Sequence, residues 1–266
     1  MSILSKMNKI NKTLYIPLYG KSYVSKKGII LCDPTAEIIW DSAGFLLKRK
    51  SKSKWLAFYM AMRARVFDNW LVEQMKEKED AIVIHIGCGL DSRINRVGSR
   101  GHRWYDVDFP EVIEERLKYY TEDSHYKMIG ADVSHEGWLD AIPRAKNAIV
   151  VMEGVSMYLT FEQLSNLVSA LCSHFDGISL LVDCYTTFAA KMSKVKNPVN
   201  DVGVTTVYGI DDPKGIEASG ISFVKEWEMT PSYLVDELSG MEKGVFSRLY
   251  AGNASKKLYR LYEYKK

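Results

Sequence analysis

The sequence lacks long apolar runs. No stretch approaches the roughly 20 apolar residues that span a bilayer, so a membrane-spanning segment is not expected. The first residues, MSILSKMNKINK, carry charges where a signal peptide has a continuous apolar segment. Neither sign of charge is in large excess, because the formal net charge is only +3 over 266 residues. This balance does not favour nucleic acid or an acidic membrane surface as a partner.

Cysteines are few, and their spacing excludes familiar sites. The sequence holds no CxxC pair and no Cys/His cluster, so neither a zinc site nor a disulfide framework is predicted. We expect reduced, buried thiols, a cytoplasmic location and no metal. The four cysteines are Cys32, Cys88, Cys172 and Cys184.

No linker, repeat or low-complexity block divides the chain, and 47% of its residues are hydrophobic. This composition predicts a single domain over residues 1–266 with a sizeable core. Residues 1–80 are predicted to form a helical cap. The clearest helix is residues 54–75, whose apolar side chains recur every three to five residues. The other parts are a core at 81–185, a candidate lid or substrate loop at 186–222 and a strand pair at 223–266.

Short apolar runs alternate with helical patterns beyond residue 80. Strands are predicted at residues 81–86, 103–107, 126–129, 148–152, 178–184, 223–228 and 258–264. Helices are predicted at residues 110–120, 160–174 and 231–239, and Thr160 and Gln163 have capping-box spacing. This alternation is typical of an α/β fold with a Rossmann-like, doubly wound, mostly parallel sheet. The last strand is predicted to be antiparallel.

A glycine loop, IGCGLDSR, follows the first predicted strand. Gly87 and Gly89 would let a ligand approach the backbone at the carboxyl end of that strand. Such a loop is not specific alone, but acidic residues follow each of the next three strands. These are Asp106 and Asp108, then Asp132, then Glu153. Either of the first two could accept hydrogen bonds from ribose hydroxyls.

Two cofactors compete for this edge of the sheet. A nicotinamide dinucleotide favours a third glycine near its pyrophosphate, where this sequence has Ser92. Carboxylates at later strand ends are unfavourable near a pyrophosphate but complement a sulfonium and an amine. Charge complementarity therefore favours S-adenosylmethionine.

With these motifs the sequence resembles the family of leucine carboxyl methyltransferases and tetracenomycin-type polyketide O-methyltransferases. The matching stretches are residues 19–39, MRARVFDNWL, IGCGLDSR, YDVDFPEV, GADV and MEGVSMYLT. GLD followed by an arginine two residues later, and VDFPEV, are fairly specific to this family. The N-terminal stretch is closer to the polyketide branch. The resemblance implies a class I S-adenosylmethionine-dependent methyltransferase.

The resemblance also implies roles by position. Arg63 would pair with the carboxylate of the cofactor, and Lys21 is a looser candidate for contact with the cofactor. Gly87, Cys88 and Gly89 would line its methionine portion, with Cys88 where the family has an alanine-like residue. The remaining residues would contact the ribose (Asp108), the adenine (Asp132, Val133) and the methionine end (Glu153, Gly154).

The acceptor is predicted to be a carboxylate, or a hydroxyl, of a small molecule. A carboxylate needs no general base, and no histidine of the sequence lies at an evident acceptor position. His85 is expected to be a core histidine, and Tyr158 is the candidate for a side chain facing the acceptor. Two alternatives remain, a protein C-terminal carboxylate as acceptor and a cofactor-binding protein without turnover. No catalytic residue is assigned.

Residues 186–210 are predicted to be a long connection after the fifth strand. Connections of this length are often lids or binding loops. The lysines of this segment, Lys191, Lys194 and Lys196, could attract an anionic acceptor, although such a run is more often a solvated surface. Their neutralisation is then expected to raise the acceptor KM.

Overall fold

The computed structural model describes residues 11–42, 44, 47, 51–193 and 206–266. The α-helices are α1 (Tyr15–Lys27), α2 (Pro34–Ser42), α3 (Lys54–Glu77), α4 (Arg93–Val97), α5 (Pro110–Arg116), α6 (Phe161–His174), α7 (Thr187–Ser193), α8 (Ser232–Val235), α9 (Gly240–Leu249) and α10 (Asn253–Lys256). The strands are β1 (Ile82–Ile86), β2 (Trp104–Asp108), β3 (Tyr126–Gly130), β4 (Asn147–Met152), β5 (Gly177–Tyr185), β6 (Ser222–Trp227) and β7 (Tyr259–Lys265). Short 3₁₀ helices cover Asn11–Leu14, Trp138–Ala141, Ser156–Tyr158 and Pro213–Ser219.

The strands form one sheet in the order β3-β2-β1-β4-β5-β7-β6. The first five are parallel, and β7 pairs antiparallel with both β5 and β6. The predicted α/β fold and antiparallel C-terminal strand are therefore confirmed, with each strand within one residue of its predicted bounds. Strand β6 runs in the same direction as the first five strands, because it pairs antiparallel with β7.

The strand order reverses at β1, which has β2 on one side and β4 on the other. Ile86 aligns with Val107 of β2 and with Met152 of β4, so the carboxyl ends of the three strands meet at one edge. In open α/β sheets, ligands bind at this topological switch point. The topology therefore places the glycine loop and the strand-end acids together.

Alternate residues of β1 enter two separate cores, as the period of a strand requires. Val83 packs with the cluster that includes α1, α2 and α3. Ile82, Ile84 and Ile86 pack with the cluster that includes α6. Both faces of the central strands are covered, which explains why these strands are continuous apolar runs.

Helix α3 is the central element of the cap. The predicted stripe is buried at Tyr59, Met62, Val66, Trp70 and Met75. The helix also buries charged side chains, which an apolar stripe does not predict. It packs on α1 on one side and on the sheet on the other, so little of its circumference reaches solvent.

Three predicted segments differ from the structure. Helix α5 ends at Arg116, four residues before the predicted end at residue 120. Residues 186–210 are not one long connection, because α7 forms there, and residues 194–205, including Lys194 and Lys196, lie outside the described residues. The predicted helix at 231–239 is the short α8 alone, whereas the longer α9 follows it. Phe246 is the buried residue of α9, and one apolar anchor leaves no stripe to detect in the sequence. Over the described ranges, no helix has the length and apolar character needed to cross a membrane.

Candidate active site

A cavity of about 730 Å³ opens at the carboxyl edge of the sheet. The loop at residues 87–91 and the ends of β2, β3 and β4 form one part of its wall. Residues of α1, α3, α7 and β7 form the other part. All eleven predicted site residues lie on this wall: Lys21, Arg63, Gly87, Cys88, Gly89, Asp108, Asp132, Val133, Glu153, Gly154 and Tyr158.

Glycine is required at both positions of the loop, and a different neighbour is responsible at each. Gly87 has φ +68°, and a Cβ there would lie 2.1 Å from Val155 Cγ2. Gly89 has φ +51°, and a Cβ there would lie 3.3 Å from Leu14 Cβ of the cap. Both positions therefore combine a left-handed backbone with a close neighbour, which disfavours any side chain. The loop backbone is exposed to the cavity as a result.

The two aspartates of β2 have different surroundings. Asp106 is buried behind the cavity wall, where it accepts hydrogen bonds from Trp104 Nε1 (2.7 Å), Tyr126 Oη (2.7 Å) and Arg116. Burial opposes ionisation of Asp106, but Arg116 and the neighbouring donors outweigh it and lower its pKa to about 2. Asp106 is therefore the counter-ion of a buried arginine.

Asp108 instead lies on the cavity wall at the end of β2. Its oxygens accept the N–H groups of Gly89 and Phe109, each at 2.8 Å. Burial raises its pKa to about 6, and these backbone bonds offset part of that rise. Of the two aspartates, Asp108 alone faces the cavity, so the geometry favours it for the ribose.

Asp132 and Val133 follow β3 on the same wall. The Asp132 carboxylate accepts hydrogen bonds from Ser134 N at 2.9 Å and Ser134 Oγ at 2.7 Å. These bonds fix the turn after the strand, so the two residues keep a defined position at the cavity rim.

A buried cluster of charges surrounds Glu153 at the end of β4. Glu153 Oε1 accepts from Arg63 Nε at 3.0 Å, and Oε2 accepts from Arg93. Lys21 Nζ lies 4.0 Å from Oε1 and 3.2 Å from Asp91 Oδ2. Burial raises the pKa of Glu153, but Lys21, Arg63 and Arg93 outweigh it and bring the pKa to about 2. The carboxylate is therefore ionised at neutral pH.

Sequence reasoning missed two carboxylates of this cluster. Asp91 lines the cavity, pairs with Lys21 and accepts from Arg96 Nη1 at 2.6 Å. Asp183, at the end of β5, accepts from Arg63 Nη1 and from Gly154 N, both at 2.7 Å. The signal for Asp91 was present in the GLDSR motif, and the signal for Asp183 was its place at the fifth strand end.

His85 is a core histidine, as the sequence indicated. It is 1% exposed, its Nε2 lies 2.8 Å from Arg93 Nη1, and its Nδ1 lies 3.3 Å from Asp106 Oδ1. Burial, followed by Arg93, lowers its pKa. Although it borders the cavity, both ring nitrogens face charged neighbours rather than an acceptor.

The wall away from the glycine loop is aromatic and apolar. Tyr59 and Tyr185 pack against Tyr259 with ring centroids 5.8 Å and 4.4 Å away. Trp55 stacks on Tyr250 at 5.8 Å. The Arg63 guanidinium lies 5.7 Å from the centre of the Tyr259 ring and joins this wall to the charged cluster. Tyr158 lies on the same wall.

Three of the four cysteines are buried, as expected, whereas Cys32 is exposed. Burial raises the pKa of Cys88 well above its usual value, so the thiol in the loop is protonated and behaves as a small apolar group. In the part of the chain that the structure describes, no group of three or more His, Cys, Asp or Glu residues could hold a metal ion.

The geometry fits S-adenosylmethionine, whose sulfonium, amine, carboxylate and ribose need complementary groups. The cavity offers carboxylates at Asp108 and Glu153, cations at Lys21 and Arg63, and a backbone surface that a Cβ at Gly87 would obstruct. A doubly wound sheet with these groups at its carboxyl edge is typical of class I methyltransferases.

Comparison with known proteins agrees with this class. The family model for leucine carboxyl methyltransferase matches residues 24–172. The tetracenomycin polyketide synthesis O-methyltransferase TcmP of Streptomyces glaucescens is 30% identical over 244 residues, covering 90% of each chain. The S-adenosyl-L-methionine-dependent methyltransferase dpfgK of Gibberella zeae is 27% identical over 184 residues, covering 63% of this chain and 61% of the relative.

A solved structure shares the fold. Magnesium protoporphyrin IX methyltransferase (ChlM) from Synechocystis PCC 6803 superposes with a TM-score of 0.51 at 14% identity, covering 88% of this chain and all of the other. The chain belongs to the leucine carboxyl methyltransferase family. It is an S-adenosylmethionine-dependent methyltransferase.

Proposed function

We propose that this enzyme methylates a carboxylate oxygen of a small, largely apolar molecule, such as a polyketide-like metabolite. The observation that carries the proposal is the cavity wall beyond the charged cluster, which is built from aromatic and apolar side chains. Such a wall suits a flat apolar body, as do the pockets of most small-molecule sites. The similarity to TcmP, named for polyketide synthesis, supports the same substrate class.

The ionisation states of the wall favour a carboxylate over a hydroxyl. Burial raises the pKa of the hydroxyls of Tyr59, Tyr158 and Tyr259 above the usual tyrosine value. These side chains therefore stay protonated and are poor bases at neutral pH. Glu153 and Asp91 are ionised but are held by arginines and Lys21. An acceptor that arrives already ionised needs none of them to remove a proton.

We propose the following roles for the wall of the cavity. Asp108 accepts from the ribose hydroxyls, and Asp132 and Val133 contact the adenine. Lys21 and Arg63 hold the carboxylate of the cofactor, while Glu153 and Gly154 border its methionine end. The support is that all of these residues line one cavity with complementary charge. Cys88 and Gly89 complete the loop beside Gly87.

The bound cofactor supplies a methyl group on a cationic sulfur, which the acceptor oxygen displaces. The protein has to align the acceptor and exclude water. We propose that the tyrosine wall aligns the acceptor, and that Leu14 beside Gly89 and Lys21 beside Asp91 help to exclude water. Tyr158 is proposed to face the acceptor.

The test is an assay in which the enzyme transfers a tritiated methyl group from S-adenosylmethionine to molecules in an extract of the source organism. The expected product is a labelled, organic-soluble small molecule that releases volatile labelled methanol in mild alkali, because methyl esters hydrolyse and ethers do not. Identification of the ester by mass spectrometry would name the acceptor. Gly87→Ala serves as the control for label that does not depend on the enzyme.

The other outcomes contradict the proposal in different ways. Alkali-stable label in a small molecule would indicate a hydroxyl acceptor. Alkali-labile label on a protein band would indicate that the acceptor is the C-terminal carboxylate of a protein. The family description, leucine carboxyl methyltransferase, suggests this alternative. A product that is strongly polar throughout would contradict the role of the aromatic wall.

Three further features remain proposals. We propose a cytoplasmic location, supported by scattered cysteines that form no disulfide pattern. We propose no nucleic acid or membrane partner, supported by the small net charge. We also propose that the chain is one domain, divided into cap, core, substrate segment and strand pair.

Lys191, exposed on α7, is proposed to attract an anionic acceptor. Neutralising it is expected to raise the acceptor KM.

A further inference from the structure

The glycine loop is held on the side opposite the cavity by two side chains that do not line the cavity. Arg116, the last residue of α5, donates from Nη1 to Gly89 O at 3.1 Å and to Asp91 O at 2.7 Å. Tyr120, one turn later, donates to the intervening Leu90 O at 3.1 Å. Three consecutive carbonyls of the loop are thus bonded by one short segment.

This pair of donors is itself firmly held. The Arg116 guanidinium lies 3.9 Å from the centre of the Tyr120 ring, and both residues are buried. Its Nη2 donates to Asp106, and its Nε donates to Tyr126 Oη at 3.2 Å. The orientation of Arg116 is therefore fixed by β2 and β3, not by the loop alone.

Stability alone does not explain this arrangement. A buried ion pair such as Arg116–Asp106 often contributes less than a well-packed apolar pair would. What the arginine adds is a planar set of donors that can reach two carbonyls and a carboxylate at once. Buried carbonyls need such donors, and a loop whose carbonyls are bonded on one side keeps a single backbone conformation.

We propose that Arg116 and Tyr120 are positioning residues for the cofactor, acting through the backbone of residues 89–91. They hold the loop in the conformation that presents Gly89 and Asp91 to the cavity, so the protein does not have to order the loop when the cofactor binds. This inference rests on the assignment of the loop to the cofactor.

The test is the affinity for S-adenosylhomocysteine by calorimetric titration, well below the unfolding temperature of every variant. Tyr120→Phe removes one hydroxyl and is expected to weaken binding about 3- to 10-fold. Arg116→Lys keeps the charge but replaces the planar guanidinium with one ammonium nitrogen, which does not reproduce the bonds to both carbonyls and Asp106 together. A loss of roughly 10-fold or more is therefore expected. Amide exchange in residues 87–91 should also accelerate in both variants without ligand.

The matched control is Leu171→Ala in α6, a buried residue in the other core that does not line the cavity. It should lower the unfolding temperature at least as much as Tyr120→Phe but keep the parental affinity. A purely structural role would give the Tyr120 and Arg116 variants that same behaviour, with unchanged affinity and loop exchange, and would overturn the proposal. If Arg116→Lys does not fold, Tyr120→Phe decides. Failure of the parent to bind would instead count against the cofactor assignment.

Discussion

At the scale of single residues, Asp106 and Asp108 show what the sequence could not resolve. Two residues apart on β2, they belong to the same face of the strand, and both stand at the spacing expected for a ribose acid. They differ in their neighbours, since Arg116 and Tyr126 surround Asp106 whereas Asp108 ends the strand at the cavity. Those neighbours come from other elements, so the sequence pattern left both candidates open.

The raised pKa of Asp108 makes a prediction about stability without ligand. Well below pH 3.8 this carboxyl is protonated in both the folded and the unfolded state, and well above about pH 6 it is ionised in both. Between these limits the folded protein binds more protons. Its contribution to stability therefore falls as pH rises from about 4 to about 6, by roughly 3 kcal/mol in total. Asp108→Asn should remove this fall in urea unfolding measured across that range.

The same residue predicts a pH dependence of cofactor binding. If the ionised carboxylate accepts from the ribose, affinity for S-adenosylhomocysteine should decrease as pH drops below about 6. In Asp108→Asn the affinity should be lower, and its change across pH 6 should be absent. A parental affinity that stays constant from pH 5 to 7 would remove Asp108 from this role.

Gly87 gives the sharpest steric prediction. In Gly87→Ala the new Cβ would meet Val155 Cγ2 at 2.1 Å, in a backbone conformation that already disfavours side chains. We expect a loss of at least about 2 kcal/mol of stability and a strong loss of cofactor affinity. Thermal unfolding and titration with S-adenosylhomocysteine would measure the two effects.

Gly28→Ala, at the end of α1, is the matched control, because its φ is also +68° and its Cβ would have no neighbour within 4 Å. It should cost only about 1 kcal/mol and leave binding unchanged. Equal effects of the two substitutions would show that backbone conformation alone, and not the contact with Val155, constrains Gly87.

At the scale of elements, the strands and the start of α6 were predictable for clear reasons. The apolar runs of β1 and β4 are buried on both faces, and Thr160 with Gln163 forms the expected capping box of α6. Elements with few buried residues were not predictable. Helix α9 buries Phe246, and α7 lies in a segment whose lysines favoured a loop interpretation.

The capping box gives a prediction about the stability of α6. Thr160 Oγ1 accepts from Gln163 N at 3.2 Å, and Gln163 Oε1 accepts from Thr160 N at 2.9 Å. Thr160→Ala should lower the free energy of unfolding by about 1 kcal/mol in urea titration. Gln163 also lines the cavity, so titration with S-adenosylhomocysteine would show whether the start of α6 supports the site as well.

At the scale of the whole molecule, one network of buried charges connects the cap to the core. Arg96 of α4 donates to Asp33 before α2 (2.7 Å), Asp68 of α3 (2.6 Å) and Asp91 of the loop (2.6 Å). The sequence indicated Arg63 and Lys21 through a family resemblance. It could not indicate this network, because its members are brought together from distant parts of the chain by the fold.

Removal of the central cation should therefore have a large effect. Arg96→Met leaves three carboxylates without their shared partner, and we expect a loss of roughly 3–5 kcal/mol in urea unfolding. Arg260→Met is the control, since Arg260 bonds Glu226 at 2.8 and 3.0 Å on a partly exposed surface. That substitution should cost less than about 1 kcal/mol. Comparable losses would mean that burial does not determine how much these ion pairs contribute to the free energy of unfolding.

The reversed strand β7 has a consequence for the order of assembly. Among the described strands it comes last in the chain, yet it lies between β5 and β6 and brings Tyr259 to the cavity. Strand β6 is made earlier but cannot join the sheet until β7 has paired with β5. We therefore expect the aromatic wall beside Arg63 to be complete only when β7 has paired with β5, because that pairing places Tyr259 against Tyr185.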